Sequence, residues 1–144
     1  NSAMKDPDAQ VQDAAVRALA EWPNVAAWDR LAVIWAKPAS EAQRALALRG
    51  LVRLADEANA APDDKLVVRY RELVEGARGD DELKQVLSAL GGDADPAALK
   101  LALPLLEQPG VRAEAAATVK RIAEAIKQKH PAAAQAALDR AAGK

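Results

Sequence analysis

Apolar segments and short polar breaks alternate along this chain with a regular step. The breaks are rich in Pro, Gly and Asp, and the segments between them run to about 10 to 18 residues, a usual helix length. Each segment begins with Asp, Ser, Asn or Pro, and several end near Gly, which is the asymmetry of helix caps. The pattern predicts eight helices, at residues 7–21, 25–36, 40–58, 63–76, 80–90, 95–107, 110–128 and 131–142.

The predicted helices pair into four similar units. The first helices align at spacings of 35, 36 and 32 residues, through the segments 16–20, 51–55, 87–91 and 119–123. The second helices keep the same step, because Leu31 and Trp35 in one helix precede Leu66 and Tyr70 in the next by 35 residues each. A two-helix repeat of this length is typical of an α-solenoid, in which stacked units form one continuous core.

The domain organisation follows from these units. Residues 6–144 are predicted to form a single repeat domain with units at about 6–39, 40–79, 80–109 and 110–144. Residues 1–5 are interpreted as a cloning remnant and lead-in, because three residues precede Met4. We therefore expect the chain to be a piece of a longer protein.

Alanine dominates the apolar composition, with 37 of 144 residues, while Phe is absent. So few large apolar side chains require helices that approach closely, and the composition excludes a β-sandwich or β-barrel. Small residues on the first helices are expected to permit this approach; they are Ala14, Ala15, Ala18, Ala45, Ala47, Gly50, Ala115, Ala116 and Ala117. The predicted fold class is all-α, a right-handed α-solenoid (α-α superhelix).

Residues 6–20 resemble the short bacterial HEAT-like repeat in their Asp6-Pro7 start, their Val11, their Ala14-Ala15 pair and their Ala-Leu close. The fourth unit repeats the valine-arginine and double-alanine part from Val111 onward, whereas units two and three carry Leu46 and Glu82 at the valine position. The resemblance implies a HEAT-repeat superhelix across about residues 6–142. It specifies architecture and leaves function open.

A second resemblance concerns context. The segments 46–50 and 103–106 are similar to HEAT-like segments of large bacterial multidomain proteins. Some of those proteins are exported and carry a sugar-active hydrolase domain elsewhere in the chain. This resemblance implies a bacterial, exported parent whose other domain supplies the chemistry.

The charge balance limits the partners. The formal net charge is −1, so no overall basic field is present to hold nucleic acid or an anionic membrane. The charge is uneven, because residues 110–144 carry seven basic and three acidic residues. No apolar stretch approaches the roughly 20 residues of a membrane span.

Candidate catalytic residues are few. The chain has no cysteine and one histidine, His130, which precedes Pro131 at a predicted turn. Ser40 is predicted to cap a helix, and the hydroxyl groups do not lie in a nucleophile elbow. The carboxylate clusters 63–64, 80–82 and 93–95 begin helices, so capping explains them better than the paired acids of glycoside hydrolysis. We predict no catalytic, cofactor or metal site, and hence no enzyme activity for this domain.

The three tryptophans, Trp22, Trp28 and Trp35, all fall in the first unit. Trp28 and Trp35 lie seven residues apart and share a helix face. One interpretation places them in the core of this unit, and the other makes them a binding hot spot. The spacing alone does not separate the two.

Together these features predict a noncatalytic protein-interaction or scaffolding module. The second helices of such stacks line the concave surface, and the partner is a protein or a neighbouring domain of the same chain. The expected contact residues are Trp28, Arg30, Lys65, Arg69, Glu72 and Lys100. Two alternatives stay open: a small enzyme or nucleic-acid-binding HEAT-like domain that uses the basic C-terminal quarter, and a structural spacer between catalytic domains.

Overall fold

The computed structural model describes residues 27–60 and 64–143, together with Ala14 and Ala18. These residues form α-helices, short 3₁₀ helices and connecting turns, without a strand, which confirms the all-α class. The seven α-helices are α1 (Trp28–Ala36), α2 (Glu41–Ala58), α3 (Asp64–Gly76), α4 (Asp80–Leu90), α5 (Pro96–Ala102), α6 (Arg112–Ile126) and α7 (Pro131–Ala141). The first of the eight predicted helices, 7–21, lies outside the described residues apart from Ala14 and Ala18, which are helical.

Two helices are shorter than the sequence predicted. The segment 95–107 was expected to be one helix, but α5 ends at Ala102 and a 3₁₀ helix, Leu103–Glu107, follows it. Pro104 explains the change, since it has no N–H for an α-helical bond and its ring crowds the carbonyl group four residues earlier. Likewise, a 3₁₀ helix at Pro109–Val111 precedes α6, which begins two residues later than predicted.

Two of the predicted helix caps, Ser40 and Asp95, are present. The carboxylate cluster 80–82 was also expected to cap its helix, but the N-cap residue of α4 is Gly79, which has no side-chain hydrogen bond there. The Ser40 hydroxyl accepts a hydrogen bond from the Gln43 N–H at 3.1 Å, at the start of α2. At the start of α5, Asp95 Oδ1 accepts one from the Ala97 N–H at 2.9 Å. Each cap satisfies an N–H that has no partner within its own helix.

Replacement of Ser40 by alanine is expected to lower the free energy of unfolding by about 1 kcal/mol, because it leaves the Gln43 N–H without its side-chain acceptor. Ser88→Ala is the matched control, because Ser88 is an exposed residue inside α4. Urea unfolding followed by circular dichroism measures both variants. Equal losses in the two would contradict the capping role.

The chain divides into two compact units, residues 1–54 and 55–144, with the division inside α2. That residues 6–144 form one domain of four repeats stays a prediction. In the first unit the buried side chains lie mainly on α1 and on the first part of α2; the largest apolar ones include Trp28, Trp35, Leu31, Leu48 and Leu51. All five are at most 5 % exposed.

The second unit contains α3 to α7. Consecutive predicted first helices, α4 and α6, pack against each other, and so do consecutive second helices, α3 and α5. The helix α6 also packs against α5 and α7. The core of this unit is apolar and includes Leu66, Leu73, Val86, Leu87, Leu90, Val111, Val119 and Ile122.

The small residues take two different positions, which corrects the expectation that all of them lie between helices. Ala47, Gly50 and Ala115 are buried, but Ala14, Ala18, Ala45 and Ala117 are exposed. Helical periodicity gives the reason, since neighbours in sequence are about 100° apart around a helix and cannot all face one partner. The buried members alone can permit close approach.

Candidate functional site

Helix α3 has one buried and one exposed face. Leu66, Tyr70 and Leu73 recur at helical spacing and are at most 1 % exposed. Another face carries residues spaced by three or four positions, Lys65, Val68, Arg69 and Glu72, of which Arg69 is half-buried and the other three are exposed. Val68 is 46 % exposed, which is unusual for a large apolar side chain in this structure. We call these four residues the α3 face; it contains three of the predicted contact residues.

Helix α1 has the same division. Leu31, Ile34 and Trp35 are buried, whereas Arg30 and Val33 are exposed. Val33 is 65 % exposed and lies 35 residues before Val68. An exposed valine thus recurs at the same position of two second helices.

Trp28 was expected to be a contact residue, but the structure buries it to 4 % exposure. It lies three and seven residues before Leu31 and Trp35, so it shares their buried face. Its indole ring is therefore not presented at the surface, and we remove Trp28 from the contact residues.

Trp35 belongs to the interior of its unit. The Arg44 guanidinium from α2 lies 4.7 Å from the centre of the Trp35 ring, a cation–π arrangement, and donates a hydrogen bond to the Trp35 carbonyl group. Trp35 Nε1 is buried and has no hydrogen-bond partner among the described residues. Trp22 lies outside the described residues.

Lys100 is exposed in the last turn of α5, the helix that packs against α3. Its positive charge complements the negative end of the α5 dipole. Lys100 is therefore accessible to a partner, and it also has a structural role in its own helix.

The carbonyl end of α4 is bonded by side chains of α6. The Thr118 hydroxyl donates to the Leu87 carbonyl at 3.0 Å. The Arg121 guanidinium donates to the Ser88 carbonyl at 3.3 Å. The Leu87 carbonyl group also accepts a hydrogen bond from the Gly91 N–H at 3.1 Å, so Thr118 adds a second donor there, and the Arg121 cation complements the negative end of the α4 dipole. These bonds tie two successive first helices together.

A second set of polar contacts also reaches the carbonyl end of α4. We call it the Tyr70 network; it consists of the Tyr70 hydroxyl, the Asn59 side chain and the carbonyl groups of Ala55 and Ala89. The Tyr70 hydroxyl oxygen lies 2.8 Å from Asn59 Oδ1, 2.9 Å from the Ala89 carbonyl and 3.3 Å from the Ala55 carbonyl. Asn59 Nδ2 donates to the same Ala89 carbonyl at 2.9 Å. Burial raises the pKa of Tyr70 well above its usual range, against the opposing effect of the Asn59 hydrogen bond. Tyr70 is therefore a neutral donor that joins α3 to α4.

The single histidine of the chain lies at an open cleft before α7. His130 is exposed before α7 and lines an open cleft of about 340 Å³ with Glu124, Gln128 and Lys129. Within the described ranges, no group of three or more His, Asp and Glu side chains is arranged to hold a metal ion. Across the same residues, no helix combines the length and apolar character needed to span a membrane.

The basic C-terminal quarter is partly engaged in internal contacts. Arg121 donates to the Ser88 carbonyl, as described above, and Lys127 Nζ pairs with Glu124 Oε2 at 2.7 Å. A second cleft, of about 230 Å³, places Arg112 and Arg140 beside Glu107. Arg112 donates there to the Leu106 carbonyl at 2.8 Å.

Sequence reasoning missed the two exposed valines, although their 35-residue spacing was a usable signal. The predicted anchors Leu31, Trp35, Leu66 and Tyr70 flank the two valines, which lie two residues after Leu31 and two residues after Leu66. No protein-family model and no curated protein matches this chain. The candidate contact surface is accordingly defined by the spacing and burial of its own residues.

Proposed function

We propose that this chain is a noncatalytic protein-interaction module and that the α3 face contacts the partner. The observation that carries the proposal is the exposure of Val68 among charged residues, on a helix whose other face is fully buried. The core of a protein interface is apolar and its rim is polar, and Val68 with its charged neighbours has this arrangement. The partner is a protein or a neighbouring domain of the same chain.

We further propose that the helical pairs stack as a right-handed HEAT-like solenoid. Within residues 55–144, the packing of α4 on α6 and of α3 on α5 supports this arrangement, because first and second helices form separate layers in such stacks. The sequence adds a further support. Asn24 and Trp35 precede Asn59 and Tyr70 by the same 35 residues, so the positions of the Tyr70 network recur in the first repeat.

The chemistry of the α3 face suggests what it recognises. Lys65 and Arg69 carry positive charge beside Val68, and Glu72 carries negative charge one turn later. A partner with an apolar side chain opposite Val68 and both acidic and basic groups around it would complement this face. The resemblance to HEAT-like segments of multidomain proteins adds a flanking sugar-active hydrolase as the neighbouring domain that this proposal expects.

Val68→Asp is expected to weaken partner binding at least about tenfold, because it places a carboxylate where an apolar contact is buried. Gln85→Asp is the matched control, since Gln85 is an exposed residue on the first helix α4. A photo-cross-linking amino acid at position 72 of the complete protein, in its own cells, identifies the partner or the linked domain by mass spectrometry. Titration of the identified partner against the wild type, Val68→Asp and Gln85→Asp then measures the affinity of each.

Cross-linking at position 72 that does not exceed cross-linking at position 85 would contradict the proposal. Equal affinities of the wild type and Val68→Asp would also contradict it. Duplex DNA supplies the counter-test: binding by the module that falls steeply with salt concentration would favour the nucleic-acid alternative. The complete absence of adducts would favour a spacer.

A further inference from the structure

Asp93 is an acidic side chain in the interior of the second unit. It lies in the turn 91–95 between α4 and α5 and is 2 % exposed. Its carboxyl group has no hydrogen bond or ion pair with the described residues. The sequence predicted that the cluster 93–95 caps a helix, but only Asp95 does so. Asp93 instead uses its backbone, since its N–H donates to the Leu90 carbonyl at 2.9 Å.

Burial and the neighbouring carboxylate of Asp95 oppose a negative charge on Asp93. The turn follows the carbonyl end of α4, where the helix dipole is negative, and precedes the N-terminus of the short helix α5, where it is positive. The charged and titratable groups of this region are Asp95 in the same turn, Asp56 of α2, Tyr70 of α3, Arg121 of α6, and Glu124, Lys129 and His130, which line the cleft beside Ala94. Arg121 lies against Gly91 and donates to the Ser88 carbonyl, not to Asp93.

The turn is also closely packed. A Cβ atom at Gly91 would lie 2.8 Å from Arg121 Nη1, and one at Gly92 would lie 2.5 Å from Asn59 Nδ2. Gly92 thus packs against the Tyr70 network, and separation of the turn from Asn59 would admit more water to an ionised Asp93. The packing couples the protonation of Asp93 to the opening of this turn.

We propose that Asp93 is a proton-sensitive switch: its protonated carboxyl group stays buried and keeps the turn 91–95 closed, and its ionised form favours an open turn. Burial, with the negative charge of Asp95, raises the pKa of Asp93 from 3.8 to about 6, which places the change in a physiological range. Because the folded-state pKa is the higher one, the stabilising effect of the proton is complete below about pH 4. It is lost as the pH rises through 6.

The expected size of the effect follows from these two pKa values. Between pH 8 and pH 5, Asp93 should raise the folding equilibrium constant about tenfold. Other carboxyl groups also titrate, so the comparison that isolates Asp93 is the wild type against Asp93→Asn. The variant should be more stable than the wild type at pH 8 and should lack this tenfold contribution.

The titration can be observed directly. Tyr70 is the only tyrosine and His130 the only histidine, so their NMR signals are identified without ambiguity. The Tyr70 ring signals should shift with a midpoint near pH 6 in the wild type and in His130→Gln, but not in Asp93→Asn. In Asp95→Asn the midpoint should fall, because a neighbouring negative charge is removed.

Hydrogen exchange tests the opening itself. The amides of Gly92 and Asp93, which bond to the Ala89 and Leu90 carbonyls, should open about tenfold more often at pH 8 than at pH 5 after correction for intrinsic exchange. Carbon-13 NMR of labelled aspartate carboxyl groups measures the titration midpoint of Asp93 in the wild type, so this result does not depend on whether the variants fold. An Asp93 midpoint below about pH 4.5 would overturn the proposal. A Tyr70 shift that survives in Asp93→Asn, or that disappears in His130→Gln, would overturn it as well.

Discussion

Tyr70→Ala is expected to lower the free energy of unfolding by about 3–5 kcal/mol. Tyr70 is the largest fully buried side chain of the described residues, so its removal leaves a cavity between α3 and α4. The change also removes the donor that faces Asn59 Oδ1 and the Ala89 carbonyl. The total is a large share of the roughly 5–15 kcal/mol that stabilises a typical domain.

Tyr70→Phe separates the two contributions. It keeps the ring and removes only the hydroxyl group, so we expect a loss of about 1–3 kcal/mol from the unpaired polar atoms. Arg71→Ala, at the next and exposed position of α3, should change stability by less than about 0.5 kcal/mol. A Tyr70→Phe variant as stable as the wild type would show that the hydroxyl contacts do not contribute.

The measurement should use two probes of urea unfolding. All three tryptophans lie in residues 1–54, so their fluorescence reports on the first unit, whereas circular dichroism reports on every helix. A loss confined to circular dichroism would mean that residues 55–144 unfold separately. Coincident transitions would justify a single two-state free energy.

Gly92→Ala is expected to lower the free energy of unfolding by about 1–3 kcal/mol. The new Cβ atom would lie 2.5 Å from Asn59 Nδ2 and 3.4 Å from the Ala89 carbonyl oxygen. Asn59 is a short side chain that bonds both Tyr70 and Ala89, so it cannot move without breaking those bonds. The backbone itself permits alanine, since Gly92 does not have a positive φ.

Gly91→Ala is the matched control. Its Cβ atom would meet the end of the Arg121 side chain, which is long and exposed and can move aside. We expect a change of less than about 1 kcal/mol, since alanine also favours the helical conformation of this C-terminal residue.

A double-mutant cycle identifies the cause. In an Asn59→Ala background the atom that collides with the new methyl group is gone, so Gly92→Ala should cost much less there than in the wild type. Additive losses from the two substitutions would contradict the proposed collision. The free energies come from the same urea titrations.

The sequence predicted much of the secondary structure because the relevant signals are local. Ser40 and Asp95 cap helices where their positions indicated. The helix α4 has the predicted bounds, residues 80–90. The predicted end of α5 was wrong because Pro104 has no N–H for an α-helical hydrogen bond, so the α-helix ends at Ala102 although the apolar residues continue.

The site was predictable only in part. Helical spacing correctly separated Leu66 and Tyr70 from the exposed Lys65 and Glu72. It did not show that Trp28 is buried, since an aromatic residue at the start of a helix can lie in the core or at the surface. That choice depends on what packs against the helix.

By itself, the sequence determined that this chain is helical and where most helices begin and end. It also determined that similar residues recur about every 35 positions. These properties depend on backbone sterics, caps and periodicity, which act over a few residues. Only the tertiary structure decided that Asp93 is buried without a partner, that Tyr70 and Asn59 meet at the Ala89 carbonyl, and that Val68 stays exposed. Such outcomes depend on which helices come together, and residues 19 to 30 positions apart in the chain meet only in the folded molecule.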